Sequence, residues 1–150
     1  KAVALKECAT VEYQNYAKKV IENCQELAKG LEAAGMRAVS GGTQTHLALI
    51  DIRSTKVNGK IADERCGRSG LSLNKNAIPY DPETPAVTSG IRVGTAAITT
   101  QGMGKPEMNQ IASFIARAIK DGEDDSKAKV IRAEVHQLTA KFPVYPEPKN

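Results

Sequence analysis

Between Thr10 and Ala33 the apolar side chains fall at Tyr13, Tyr16, Val20, Cys24, Leu27 and Leu31, in steps of three and four. That spacing draws one continuous stripe along one face of a helix. Thr10 is placed to cap its start, and Gly35 to take the left-handed conformation just past its end. A helix this long with a single apolar stripe has to lie against a second layer. Cys24 sits in the middle of the stripe and reads as core filler, not as a reactive thiol.

The rest of the chain offers strands for that layer. Met36–Ser40 reads as a short strand closed by Gly41-Gly42, and His46–Ile52 is a nearly continuous apolar run of strand length. Asn58-Gly59 opens a short helix reaching about Cys66, with Gly67 and Gly70 as stops. Leu71–Asn74 is predicted as another short strand. Residues 77–88 hold Pro79, Pro82 and Pro85, which lack the backbone donor, so this stretch is a bent loop. Strand character returns over Ser89–Ala97 through Ile91 and Val93, interrupted by Gly94. Pro106 suits the first turn of a helix whose stripe is Met108, Ile111, Ile115 and Ala118. After an acidic connector, Asp125 is expected to cap a last helix carrying Ala128, Ile131, Val135, Leu138 and Phe142, stopped by Pro143. Few short strands among long amphipathic helices predict an α+β fold, a small sheet covered on one side by helices. Lys1–Glu7 reads as the tail of a helix begun upstream, so residues 1–9 are expected to be an interdomain segment of a larger protein.

Composition narrows the function classes. A chain of 150 residues, 41% hydrophobic and 25% charged, suffices for one globular domain without metal or disulfide staples. Aromatics make up only 4%, with no Trp, which argues against a stacking platform for single-stranded nucleic acid. The net charge of +4 comes from 21 basic and 17 acidic residues that are interspersed, so nucleic acid is not expected as a partner. Cys8, Cys24 and Cys66 form no Cys-x-x-Cys, and His46 and His136 lie far apart, so no zinc site is expected. Reduced thiols point to a cytoplasmic setting. No apolar run approaches a membrane span, and Lys1–Glu7 lacks a signal-peptide layout.

One strand carries the best candidate for chemistry. In Thr88-Ser89-Gly90-Ile91-Arg92-Val93-Gly94-Thr95, alternation sends Ile91 and Val93 to the core and Arg92 to the other face. Gly90 and Gly94 bring no side chains to that face, leaving cleared space under a guanidinium whose planar fork matches a carboxylate. Pairing of Arg92 with a surface acid is the competing reading. Asn74 and Asn76 are equally readable as turn residues bonded to their own backbone. No Gly-rich phosphate loop, Gly-x-Ser-x-Gly or Ser-His-Asp set occurs.

Several runs nevertheless recur in one order: Val39-Ser40-Gly41-Gly42-Thr43, His46-Leu47, Asn74-Lys75-Asn76, Val87 through Thr95, and Lys141-Phe142-Pro143-Val144-Tyr145. In these the chain resembles the C-terminal domain of the serine hydroxymethyltransferases, fold type I pyridoxal-phosphate enzymes. The resemblance implies a small, mainly antiparallel sheet, with residues 10–150 as the C-terminal small domain. The large domain that binds pyridoxal 5′-phosphate through a lysine would lie outside this chain. It further implies that the parent enzyme, a homodimer, reversibly converts serine and tetrahydrofolate to glycine and 5,10-methylenetetrahydrofolate. By the same resemblance Arg92 clamps the amino-acid carboxylate, Asn76 hydrogen-bonds the folate pteridine, and Lys75 lies near the folate. The isolated chain is then expected to be inactive. Thr43-Gln44-Thr45-His46 imitates the segment before the cofactor lysine, but Leu47 takes the lysine's place.

The chain departs from the family pattern at Tyr80, where Asn is frequent, at Ala86, where Phe is common, and at Gln101, where Arg is frequent. These positions leave the folate contacts less defined than Arg92. Roles for His46 and Asp51 are read as structural. Two other readings stand beside the first. One is the small domain of a folate-independent pyridoxal-phosphate aldolase or lyase. The other is a non-catalytic binding module, with RNA as the partner suggested by the net charge.

Overall fold

The computed structural model describes residues 1–145, so the last five residues of the expected 10–150 domain lie outside the described ones. A short helix α1 (Ala2–Cys8) buries none of its residues. It leads into the long helix α2 (Val11–Ala33), whose Thr10 cap accepts the Tyr13 N–H through Oγ1 at 3.2 Å. Gly35 follows with φ +90°, as its position past the helix end requires. Val20, Cys24, Leu27 and Leu31 are buried as the stripe predicts, whereas Tyr13 at its start is exposed. Cys24 has no access to solvent.

Among the described residues, four antiparallel strands form one sheet in the order β1-β2-β4-β3. They are β1 (Arg37–Ala38), β2 (Leu47–Asp51), β3 (Asn74–Asn76) and β4 (Gly90–Gly94). The α+β expectation holds, and Ala48, Ile50, Ile91 and Val93 present one face of the sheet to the helices. Helix α3 (Gly59–Arg68) starts where Asn58 caps it, accepting the Ile61 N–H at 2.9 Å. Its first amides do not point to water: Gly59 N donates to Thr88 O and Lys60 N to Val87 O, both at 2.9 Å.

Several boundaries differ from the sequence expectation. The strand foreseen over Met36–Ser40 keeps only two residues, because Val39–Gly41 turn into a 3-10 helix with Ser40 at φ +64°. The strand foreseen over Leu71–Asn74 shifts to β3. Leu71 N closes the end of α3 by donating to Cys66 O, so Leu71 and Leu73 owe their burial to packing and not to ladder bonds. The strand foreseen to Ala97 stops at Gly94, and helix α4 (Ala96–Thr100) follows. Thr95 makes that break: its N–H ends the ladder on His46 O, while its buried Oγ1 donates to Val20 O at 2.8 Å. Finally, Asp124 and not Asp125 caps the last helix, accepting the N–H groups of Ser126 and Lys127.

Helices α5 (Lys105–Asp121) and α6 (Asp125–Thr139) complete the covering layer, with Pro106 in the first turn of α5 as expected. Met108, Ile115 and Ala118 are buried on α5, and Ala128, Ile131, Val135 and Leu138 on α6. The last helix ends before Phe142, which packs half-buried against the core. α2 and α5 approach closely at Gly30, where a Cβ would lie 2.6 Å from Ala112 Cβ. Asn23, the buried amide in α2, is satisfied by donating to Thr99 Oγ1 and to Met103 O, at 2.8 and 3.0 Å. Fully burying each large side chain, such as Ile50, Ile91 or Leu31, contributes about 1.5–3 kcal/mol, so the core between sheet and helices carries much of the stability.

Candidate functional site

With helices on one face, the other face of the sheet is left for chemistry. Register places Arg92 on it, directly between Leu49 of β2 and Asn74 of β3. Arg92 is exposed and, among the described residues, has no ion pair and no side-chain hydrogen bond. No surface acid therefore holds it. It borders a cleft of about 370 Å³ whose walls include His46, Ser72, Asn74 and Gly94.

The two glycines beside Arg92 act differently. A Cβ on Gly94 would fit tightly, 3.3 Å from His46 O and 3.9 Å from Leu47 Cβ, and Gly94 itself lines the cleft. A Cβ on Gly90 would come within 2.6 Å of Ile78 Cγ2 and 2.9 Å of two backbone oxygens. The space expected above Gly90 is thus filled by the proline loop. Of the two glycines, only Gly94 borders the cleft.

Asn76 pairs with Gly90 and shares the Arg92 face, with its Nδ2 donating to Ala77 O at 2.8 Å. Lys75 pairs with Ile91, so the pleat turns it toward the opposite, helix-covered face. Asn74, the last residue of the strand foreseen over Leu71–Asn74 and also readable as a turn residue, stands exposed on β3 opposite Arg92. The exposed His46 precedes β2 and its carbonyl accepts the Thr95 N–H, which fits its structural reading, although it also lines the cleft. Asp51, at the far end of β2, is structural as expected. The Arg53 side chain bonds it at 2.8 Å and Arg37 at 2.9 Å. The Arg53 hydrogen bonds, working against burial and aided by Arg37, lower its carboxyl to about 2.

Asp81 is the residue that sequence reading passed over. Its carboxylate accepts Ser89 Oγ at 2.6 Å, the N–H groups of Ser89 and Glu83 at 2.9 Å, and the Ile78 N–H at 3.1 Å. Burial works against its charge, but the Ser89 hydroxyl and those three amides prevail and hold the carboxyl below the ordinary range. The loop is thereby tied across the start of β4, beside Arg92. An acid set between Pro79 and Pro82 was the available signal, since Asp in such a turn bonds backbone two residues on.

A family model described as serine hydroxymethyltransferase matches residues 1–115, more than half of the chain. The chain belongs to the serine hydroxymethyltransferase family. The matched span contains the open sheet face with Arg92, Asn74 and Asn76, while the Lys141–Tyr145 run lies beyond it. Membership identifies a transferase family. Among the described residues no His, Cys, Asp and Glu groups could hold a metal ion, and no helix is long and apolar enough to cross a membrane. The three cysteines are free. Cys8 is exposed, whereas burial raises the Cys24 thiol and pushes that of Cys66 up to about 12.

Proposed function

We propose that this chain is the C-terminal domain of a pyridoxal-phosphate-dependent serine hydroxymethyltransferase, in which Arg92 grips the carboxylate of serine or glycine. The observation that carries this reading is the free, exposed guanidinium of Arg92 beside the space at Gly94. A guanidinium fork offers a carboxylate two parallel hydrogen bonds, each contributing about 1.5–3 kcal/mol. Held at that end, the substrate keeps one orientation at its Cα, which is what selects the bond to be cleaved.

Pyridoxal phosphate supplies the electron sink for that cleavage when bound. The cleft residues do not fit its anchoring, for no lysine lines the Arg92 cleft and Lys75 belongs to the other face. The cofactor is accordingly carried by another part of the parent enzyme, a homodimer by family analogy. Asn76 sits on the Arg92 face within the same loop system and is assigned to tetrahydrofolate, which accepts the one-carbon unit. Lys75 stays assigned to the folate neighbourhood, reached around the edge strand β3.

In the full-length parent, Arg92→Ala and Arg92→Lys should raise the serine KM, the alanine variant by at least tenfold. An unchanged KM in both would defeat the assignment. Purified alone, the 150 residues should show no interconversion of serine and glycine; a normal rate, free of full-length enzyme, is the contrary result. Asn76 separates this reading from a folate-independent lyase, which gains some weight because the Asn76 amide already bonds its own loop. Asn76→Ala should depress folate-dependent turnover and spare retro-aldol cleavage of 3-hydroxy amino acids. Equal loss of both favours the lyase.

A further inference from the structure

The end of β4 that carries Arg92 also borders a second cavity, of about 280 Å³, between the sheet and the helical layer. Leu27, Val93, Met103, Phe114 and Leu138 are among its walls, and no charged side chain of the described residues lines it. It reaches the surface, for Ser72, Ala97 and Thr139 on its rim are exposed and Ile98 and Ile111 are only partly buried. The cavity and the Arg92 cleft share Ser72, Leu73, Val93 and Gly94 as walls. The β3–β4 ladder ends at the Asn74–Arg92 pair, so beyond it Ser72 and Leu73 are not paired to Val93 and Gly94. Gly94 brings no side chain to that gap. A free guanidinium and an apolar hollow thus stand side by side where the sheet is no longer closed.

Serine and glycine use only the charged half of this arrangement, having no apolar side chain to bury. A ligand that uses both halves has an anionic head and an uncharged hydrocarbon tail. The head is specified by the guanidinium, whose planar fork takes a carboxylate by two parallel bonds. The tail is bounded by volume. An apolar cavity of about 150 Å³ holds a benzene ring, so the larger one here suits a tail of roughly six to ten carbons. We propose that the cleft and the cavity together bind an apolar monocarboxylate, its acid group on Arg92 and its tail past Gly94 against Leu73 and Val93, in competition with the amino acid. This rests on Arg92 as the carboxylate grip and adds a second class of acid that the same grip holds.

The test titrates the 150-residue chain calorimetrically with straight-chain acids from butanoate to octanoate, and with 1-octanol. Affinity should rise about threefold to fourfold per added methylene, the gain from taking one CH₂ out of water. Arg92→Ala should weaken octanoate about tenfold and leave 1-octanol unchanged. Ala97→Phe, at the open rim of the cavity, should weaken octanoate and spare butanoate. In the full-length parent, octanoate should raise the serine KM without lowering kcat. Affinity that does not grow with chain length overturns the inference, as does octanoate binding that is indifferent to Ala97→Phe. A serine KM in the parent that octanoate does not move overturns it too, since another part of the enzyme then fills the cavity. If Arg92→Ala changes neither octanoate binding nor the serine KM, the functional reading itself has failed. A serine KM raised by Arg92→Ala, with no octanoate bound by the unaltered chain, removes only the apolar acid.

Discussion

At the scale of single residues, the arginines on and beside the open sheet face stand in two opposite states. Arg37 and Arg53 are spent on Asp51, whereas Arg92 is paired with nothing among the described residues. That contrast leaves one guanidinium available among the described residues while two serve the fold. It also sets a pH dependence. Asp51 is lowered to about 2 in the folded chain, against about 3.9 unfolded. A depressed carboxyl contributes stability above its unfolded value and loses it as pH falls through the folded one. Denaturant titrations should therefore show stability falling between about pH 4 and pH 2. In Asp51→Asn the fall should be shallower and stability at pH 7 lower. An identical pH profile in both proteins would contradict the arrangement. Asp51 was legible as structural because a lone acid ending an apolar strand needs partners. The fourfold role of Asp81 was not legible, since Ser89 reaches it only when the loop closes eight residues on.

Among the elements, legibility followed period. The stripe of α2 and the cap at Thr10 could be read off because 23 residues repeat one face many times. Short elements carry too few repeats, and packing competes with pairing for the same apolar residues. Leu71 and Leu73 therefore resembled a strand, although the ladder forms through the polar Asn74–Asn76. Similarly, α4 was hidden because Thr95 ends the strand through a bond to Val20, 75 residues away. The α2–α5 seam gives a test in which propensity and packing have opposite signs. Gly30→Ala should gain about 1 kcal/mol of helix propensity. The new methyl group, however, would meet Ala112 Cβ at 2.6 Å, and forced overpacking costs about 1–3 kcal/mol. Chemical unfolding should show Gly30→Ala as the less stable protein, with Ala112→Gly in the same chain recovering part of the loss. Stabilisation by Gly30→Ala alone would show the seam to be looser.

For the whole molecule, the sheet, its helical cover and the faces of β4 were within reach of the sequence. How much room each glycine leaves was not, because that depends on where Ile78 returns over Gly90. The junction between Val87–Thr88 and the start of α3 bears on motion as well. Gly59 and Lys60 have given their amide protons to that loop, so the segment before Arg92 cannot swing outward while those bonds stand. Deuterium uptake at these two positions should match the protection of the helix interior, and Asp81→Asn should accelerate both in step. Fast uptake at Gly59 and Lys60 in the unaltered chain would mean that the two parts move separately. The entrance beside the guanidinium is then a fixed doorway and not a swinging gate.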